Sequence, residues 1–266
     1  SVKGPFDHIL SEALNESGLN ETNSLYHNNE GHGAINIIRG RVFRPNLTAM
    51  LDFDRVVNDP VVAINERHDC VEVITSKVSY KFDRVVISAG VLGTLKLLST
   101  ISSDYLGDNH IKDHPNFRLK VKLKESKIFD NLNLIEKSLT KKISALAKYI
   151  FTETGVMQGT GASYVVYKDF DNDGVVDTKI QLLNFTESGR LKSGDEGNFF
   201  DDYTGISFAI TLIKNGSSGV FNTLDNNITF KYLETRVERE LMDKAVRFIL
   251  NIIHNSSLKE YVDRVI

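Results

Sequence analysis

Four aspartates in one short stretch are the first candidates for chemistry. Asp169-Phe170-Asp171-Asn172-Asp173-Gly174-Val175-Val176-Asp177 sets carboxylates at alternate positions, with a glycine for a sharp turn. A hard cation draws several oxygens from one short segment, so Asp169, Asp171, Asp173 and Asp177 are candidate calcium ligands. The helix-flanked version of such a loop also requires a bidentate Glu at its twelfth position, where this chain has Ile180. A polar turn rich in Asp, Asn and Gly has the same composition without an ion, and that plainer reading is favoured.

A second stretch offers a different chemistry. Phe82-Asp83-Arg84-Val85-Val86-Ile87-Ser88-Ala89-Gly90-Val91-Leu92-Gly93-Thr94 reads as a strand, a turn of small residues and a helix. Three consecutive apolar residues mark a strand buried on both faces of a parallel sheet. Small residues let a ligand approach the backbone, and a helix start there presents unpaired N–H groups to an anion such as a pyrophosphate. The same residues equally suit a tightly packed strand-helix turn with no ligand, because a single Gly-containing turn is a weak signal.

Other reactive residues have plainer readings. His27 and His32 lie in the polar Asn- and Gly-rich stretch 20–33, which reads as a surface loop with solvated histidines. Asp113-His114 could relay a proton, but a structural turn before Pro115 is the favoured reading. Gly155, Gly159 and Gly161 lack the Lys-Ser/Thr that a phosphate loop needs.

The elements that must carry these residues follow from periodicity. Phe6, Ile9, Leu10 and Leu14 predict a first helix stopped by Gly18. Short β runs follow at 47–53, 61–64, 71–74 and 78–82, the last two turning about Ser76-Lys77 as a hairpin. Strict apolar-basic alternation over 117–124 predicts a half-buried strand with a cationic outer face. Leu132, Ile135, Leu139, Ile143, Leu146, Ala147 and Ile150 predict an amphipathic helix whose lysines, 137, 141, 142 and 148, are mostly on other faces. A solvated lysine face is the favoured reading, over a membrane or an acidic partner. Strands at 162–167, 178–185, 206–213 and 228–233 read as an antiparallel, half-exposed sheet. Thr235 and Glu238 form a capping-box pattern ahead of a helix with Val237, Leu241, Ala245, Phe248, Ile249, Ile252 and Ile253 as its stripe.

Composition bounds what these elements can do. The chain has 266 residues, a formal charge of -3 and 41% hydrophobic residues, ordinary values for one large or two moderate globular domains. No global basic field points to nucleic acid. Cys70 is the single cysteine, which excludes an internal disulfide framework and Cys-rich metal centres. No apolar run approaches the roughly 20 residues of a spanning helix, and Ser1 to Phe6 has no apolar signal core, so a soluble chain of open compartment is expected. The seven Asn-x-Ser/Thr sequons, from Asn15 to Asn255, read as chance products of an Asn-rich sequence.

Residues 85–98, Val-Val-Ile-Ser-Ala-Gly-Val-Leu-Gly-Thr-Leu-Lys-Leu-Leu, resemble the second signature of the glucose-methanol-choline (GMC) flavoprotein oxidoreductases. Neighbouring pieces fall in that family's order: Arg44 to Thr48, Leu106 to His110, Asp113-His114-Pro115, Asn215 to Val220, and Lys231-Tyr232-Leu233 before the last helix. Leu95 stands where the family usually has proline, and Ser99 to Ser103 departs from its Ser-Gly-Ile-Gly continuation. Neither the family's N-terminal Gly-x-Gly-x-x-Gly turn nor its C-terminal histidine motif is present, so the chain looks like the middle of such an enzyme.

The resemblance implies an incomplete FAD-binding Rossmann-like α/β domain at about 1–115. It implies an antiparallel-sheet α+β substrate domain with helices at about 116–266. It implies FAD contacts at Ser88, Ala89 and Gly90, with Val56 more loosely as a strand residue near the adenine. The implied activity is hydride transfer from a small alcohol, such as a sugar, sterol or aliphatic alcohol, to the flavin. No catalytic residue is assigned among the seven histidines. Other chains supplying the missing parts, or an inactive fragment kept for binding or assembly, are the alternatives.

Overall fold

The computed structural model describes residues 5–22, 30–34, 56–125, 139–152, 161–186, 201, 203–214 and 216–266. The expected run at 47–53, the family-like segment Arg44 to Thr48, Asn215 and His27 lie outside the described residues. Two compact units emerge, each assembled from separated stretches: Ser1–Pro45, His114–Asn215 and Thr235–Ile266 form one, and Asn46–Asp113 with Gly216–Glu234 form the other. The described elements are antiparallel sheets and helices, an α+β arrangement.

The first unit is organised by a six-stranded antiparallel sheet. Its strands are β1 (Gly31–Ala34), β6 (Asn116–Leu123), β7 (Ala162–Lys168), β8 (Thr178–Leu183), β9 (Gly205–Leu212) and β12 (Val262–Val265), in the spatial order β1-β7-β8-β9-β6-β12. The alternation predicted for 117–124 is realised in β6, where Leu119, Val121 and Leu123 are buried. Its cationic face is ion-paired: Lys120 lies 3.2 Å from Asp201 and Lys122 3.2 Å from Asp263, and both lysines are half-buried.

The expected half-exposed sheet is corrected at its centre. In β9 the residues from Gly205 to Ile210 are all buried, so both faces of this strand are covered. Gly205 is required there, because a Cβ would stand 2.7 Å from the Val121 carbonyl oxygen. A lone alternating strand cannot report such cover, which comes from elements remote in sequence.

Helix α1 (Pro5–Glu16) buries Phe6, Leu10, Ala13 and Leu14, and Gly18 follows it at φ 83°. The C-terminal helix Arg236–Asn255 packs on β9 and buries Leu241, Met242, Ala245, Ile249, Ile252 and Ile253. Each large apolar side chain so buried contributes roughly 1.5–3 kcal/mol relative to exposure. Its N-terminus carries the predicted capping box, with Thr235 Oγ1 accepting from Glu238 N–H at 3.2 Å and Glu238 Oε2 accepting from Thr235 N–H at 3.2 Å. A further helix, Leu139–Thr152, occupies the C-terminal part of the amphipathic pattern seen at 132–150.

Two expectations fail in this unit. The stretch 20–33 is not wholly loop: Gly31–Ala34 pairs with β7, Gly31 opposite Tyr167 and Ala34 opposite Tyr164. Glycines and small residues give this strand no apolar period, so only its partner reveals it. The short strand β12 was likewise not anticipated.

The second unit holds two three-stranded antiparallel sheets. One is β2 (Val61–Glu66), β3 (Val71–Thr75) and β4 (Ser79–Phe82), with the expected turn at Ser76-Lys77. The other is β5 (Asp108–Ile111), β10 (Gly219–Asn222) and β11, which is only Ile228–Thr229 within the run expected at 228–233. Helix α2 (Gly90–Leu98) opens where predicted, but the buried parallel strand expected at 85–87 is absent. Residues 83–89 run without ladder partners, and Val86 is 89% exposed. A parallel strand needs at least one parallel neighbour, and every ladder among the described residues is antiparallel.

The capping box generates a prediction. Thr235→Ala should lower unfolding stability by about 1 kcal/mol, whereas Val237→Ser, at an exposed position, should stay within about 0.5 kcal/mol. Urea titrations of the two variants against the parent chain check it.

Candidate functional site

The turn at Ser88-Ala89-Gly90 is open. All three residues are exposed, and Ala89 caps α2 without any side-chain hydrogen bond. The first N–H groups of α2 therefore lack a side-chain acceptor at the cap. Gly90 sits at φ 71°, a left-handed conformation costly for residues with a Cβ, and the space where a Cβ would stand is empty. Such a turn can take an anionic or planar ligand group against its backbone. Helix α2 buries none of its residues, and Val91 is 60% exposed.

Val56 lies in the same unit, in an exposed extended segment before β2. It is not in a strand, which corrects the expectation that placed it there. Extended pairing begins only at Val61.

The aspartate loop is closed by its own donors. Asp169 accepts from the N–H groups of Asn172 at 2.7 Å and Gly174 at 2.8 Å. Asp177 is fully buried and accepts from Phe170 N–H at 2.7 Å, Asp171 N–H at 3.2 Å and the Thr178 hydroxyl at 2.7 Å. Lys214 donates to Asp171 at 2.9 Å and also to Asp173. Asp169, Asp171 and Asp177 each offer an oxygen within 4.8 Å of the others, and Asp173 is outside that group. The candidate four-aspartate calcium set is thus not assembled, and its oxygens already accept from amides and an ammonium, in keeping with the favoured reading as a polar turn. Calcium is not supported.

The loop's observed partners make it a structural clasp. Lys244 of the C-terminal helix donates to the Phe170 carbonyl at 2.9 Å, and the Phe170 ring meets that of Phe248 edge-on at 5.6 Å. Burial pushes the Asp177 carboxyl above its ordinary range despite its three donors. Burial also pushes Asp169 upward, but the Gly174 and Asn172 amides outweigh it and hold that carboxyl below the usual range. Asp173 is held low by Lys214 and by the Val175 amide.

The histidines divide into one buried and several exposed. His32, expected as a solvated loop residue, is fully buried because β1 carries it against β7. Its Nδ1 lies 2.8 Å from the Tyr164 hydroxyl, and its Nε2 lies 2.9 Å from the Leu19 carbonyl oxygen and 3.1 Å from Asn15 Oδ1. Two acceptors at Nε2 call for a proton there, leaving Nδ1 to accept from Tyr164. Burial pushes the Tyr164 phenol up to about 12, so it remains a donor. Nearby, Ser163 donates to Asp7, a fully buried carboxylate in the first turn of α1. This buried polar network was not legible in the sequence, since its members are far apart along the chain. His8, His68, His110, His114 and His254 are exposed. Asp113, the other half of the adjacent pair, accepts from the Tyr232 hydroxyl at 2.6 Å and thereby raises that phenol to about 12.

Comparison with solved structures supplies the context for this geometry. A formate oxidase aligns with 98% of this chain and 55% of its own, at a TM-score of 0.72 and 15% identity. The fold is like that of a formate oxidase. An arginine-to-lysine variant of the formate oxidase from Aspergillus oryzae RIB40, described for its effect on FAD modification, matches with the same figures. A pyridoxine 4-oxidase aligns with 77% of this chain at 14% identity and a TM-score of 0.48. This chain spans 55% of the length of the formate oxidase chain. No family model matches the chain, and no curated protein matches it.

The clasp around Lys214 generates a prediction. Asp173, with its folded value lowered, contributes stability that is present above the unfolded carboxylate range and is lost as pH falls through the folded value. Lys214→Met should move the Asp173 midpoint upward and flatten that acid limb. Side-chain carboxyl NMR titration of the two proteins reads the shift directly.

Proposed function

We infer that this chain is part of an FAD-dependent oxidoreductase of the GMC type that oxidises a small alcohol, a sugar, sterol or aliphatic alcohol, by hydride transfer to flavin. The observation that carries the reading is a fold likeness to a formate oxidase over 98% of the chain, with an open turn at the start of α2 in the segment that resembles the GMC signature. A formate oxidase of similar fold, described for its FAD modification, supports that resemblance.

The residues at the turn fit the cofactor on their own geometry. Ser88, Ala89 and Gly90 are small and exposed, the Cβ position of Gly90 is empty, and the start of α2 has no side-chain cap. In this reading their backbone lines FAD, the N–H groups at the α2 start face a polar or anionic part of it, and Val56 packs more loosely against its adenine end. FAD, when bound, supplies the hydride acceptor. The hydroxyl proton leaves to a base for which this chain offers no assigned residue. His32 is committed to Tyr164 and Leu19.

In the division proposed at about 1–115 and 116–266, the FAD-side part is read from the described residues 56–113, while Gly31–Ala34 pairs with β7 of the substrate-side part. Polypeptide beyond this sequence, in the same or another chain, would complete the cofactor site. One observation favours a second reading, a fragment kept for binding or assembly: Val86, Val91 and the unburied α2 form apolar surface at the turn that no described element covers.

The visible absorption spectrum of native material, with the mass of every polypeptide in the same sample, separates the two. A flavin spectrum is expected from native material, with Gly90→Val reducing bound flavin severalfold because its backbone angle and open approach are both lost. Native material containing this sequence but without flavin would overturn the oxidoreductase reading in favour of the second.

A further inference from the structure

We propose that the helix Leu139–Thr152, named α3 here, docks this protein flat on an anionic lipid surface. The inference is independent of the cofactor reading. The sequence pattern called for an amphipathic helix, whose apolar stripe would ordinarily pack on a core. Instead, the stripe faces water: Leu139 is 71% exposed, Ile143 58%, Leu146 45% and Ile150 47%. These four positions recur at intervals of four, three and four residues, so they form one continuous line along the helix. Phe151, roughly a quarter turn or more round the helix from that line, is 83% exposed. No other described element packs substantially against α3.

Charge decides which occupant suits this face. The helix contains Lys141, Lys142 and Lys148 and no aspartate or glutamate. By helical position, 142 flanks the apolar stripe while 141 and 148 fall on the opposite side. A helix with an apolar leucine, isoleucine and phenylalanine face and a lysine-bearing polar face has the distribution of an interfacial helix. The lysines add attraction to a negative leaflet that fades within a Debye length, so position 142 counts most.

Length excludes the main alternatives. At 14 residues the helix is about 21 Å long, too short to cross a bilayer whose core is about 30 Å thick. The described chain contains no helix long and apolar enough to span one. The same spacing would suit pairing with a second copy, but 14 residues make only two heptads where a sustained coiled coil needs at least three. Lying in the interface needs no such length.

Vesicle co-flotation of the 266-residue chain tests the proposal. Vesicles of 70:30 phosphatidylcholine to phosphatidylserine should carry the protein at near-physiological salt, and pure phosphatidylcholine vesicles should carry at least tenfold less. Raising salt should weaken binding. Ile143→Ser with Leu146→Ser, both at exposed positions, should cut binding at least tenfold while circular dichroism and the melting temperature stay unchanged. Lys142→Glu should weaken binding to anionic vesicles severalfold. Equal recovery with and without anionic lipid would overturn the proposal, as would undiminished binding by the Ser-Ser variant. A dimer in light scattering that the Ser-Ser variant abolishes, without vesicle binding, would assign the face to a second copy instead.

Discussion

Burial of β9 on both faces is the constraint on which the first unit depends. Its two edges are taken by β6 and β8, and the C-terminal helix packs against it. A strand covered in this way cannot slip by one residue without turning Phe208 and Ile210 to the other face, so it fixes the register of its neighbours. The aspartate loop joins β7 to β8 and is clasped by Lys214 and Lys244, which ties this end of the sheet to the C-terminal helix. Asp177 is the inner anchor of that clasp, a buried carboxylate whose desolvation is offset by two amides and a hydroxyl.

The second unit obeys the opposite condition. Its sheets are short, and α2 opens from a segment whose backbone has no ladder partner. Apolar residues that would be core in a completed sheet are exposed there, among them Val86 and Val91. The formate oxidase chain with a similar fold extends well beyond the part that aligns.

Much of the architecture was legible because local signals and tertiary structure agree. The alternation of β6, the hairpin at Ser76-Lys77 and the capping box at Thr235 and Glu238 are realised as read. Failures occur where the deciding partner is remote. Strand β1 has too little apolar content to show a period and exists through pairing with β7, which in turn buries His32. The run 85–87 has the composition of a buried strand but lacks neighbours among the described residues. The aspartate spacing recorded a tight turn truthfully, and it is Lys214, distant in sequence, that takes up Asp171 and Asp173. At the candidate cofactor turn, sequence reading identified small residues before a helix, while their exposure and the empty Cβ position of Gly90 required the fold.

The central claim is that one unit holds a strand buried on both faces, while the other presents an exposed turn at the start of α2 that a ligand can reach. Native-state hydrogen exchange, resolved by peptide, tests it most directly. The account predicts slow exchange across β6, β8 and β9, with rapid exchange at 84–89 in the chain alone. Protection at 84–89 equal to that of β9 would contradict it, because the turn would then be closed within this chain and its backbone unavailable to any cofactor.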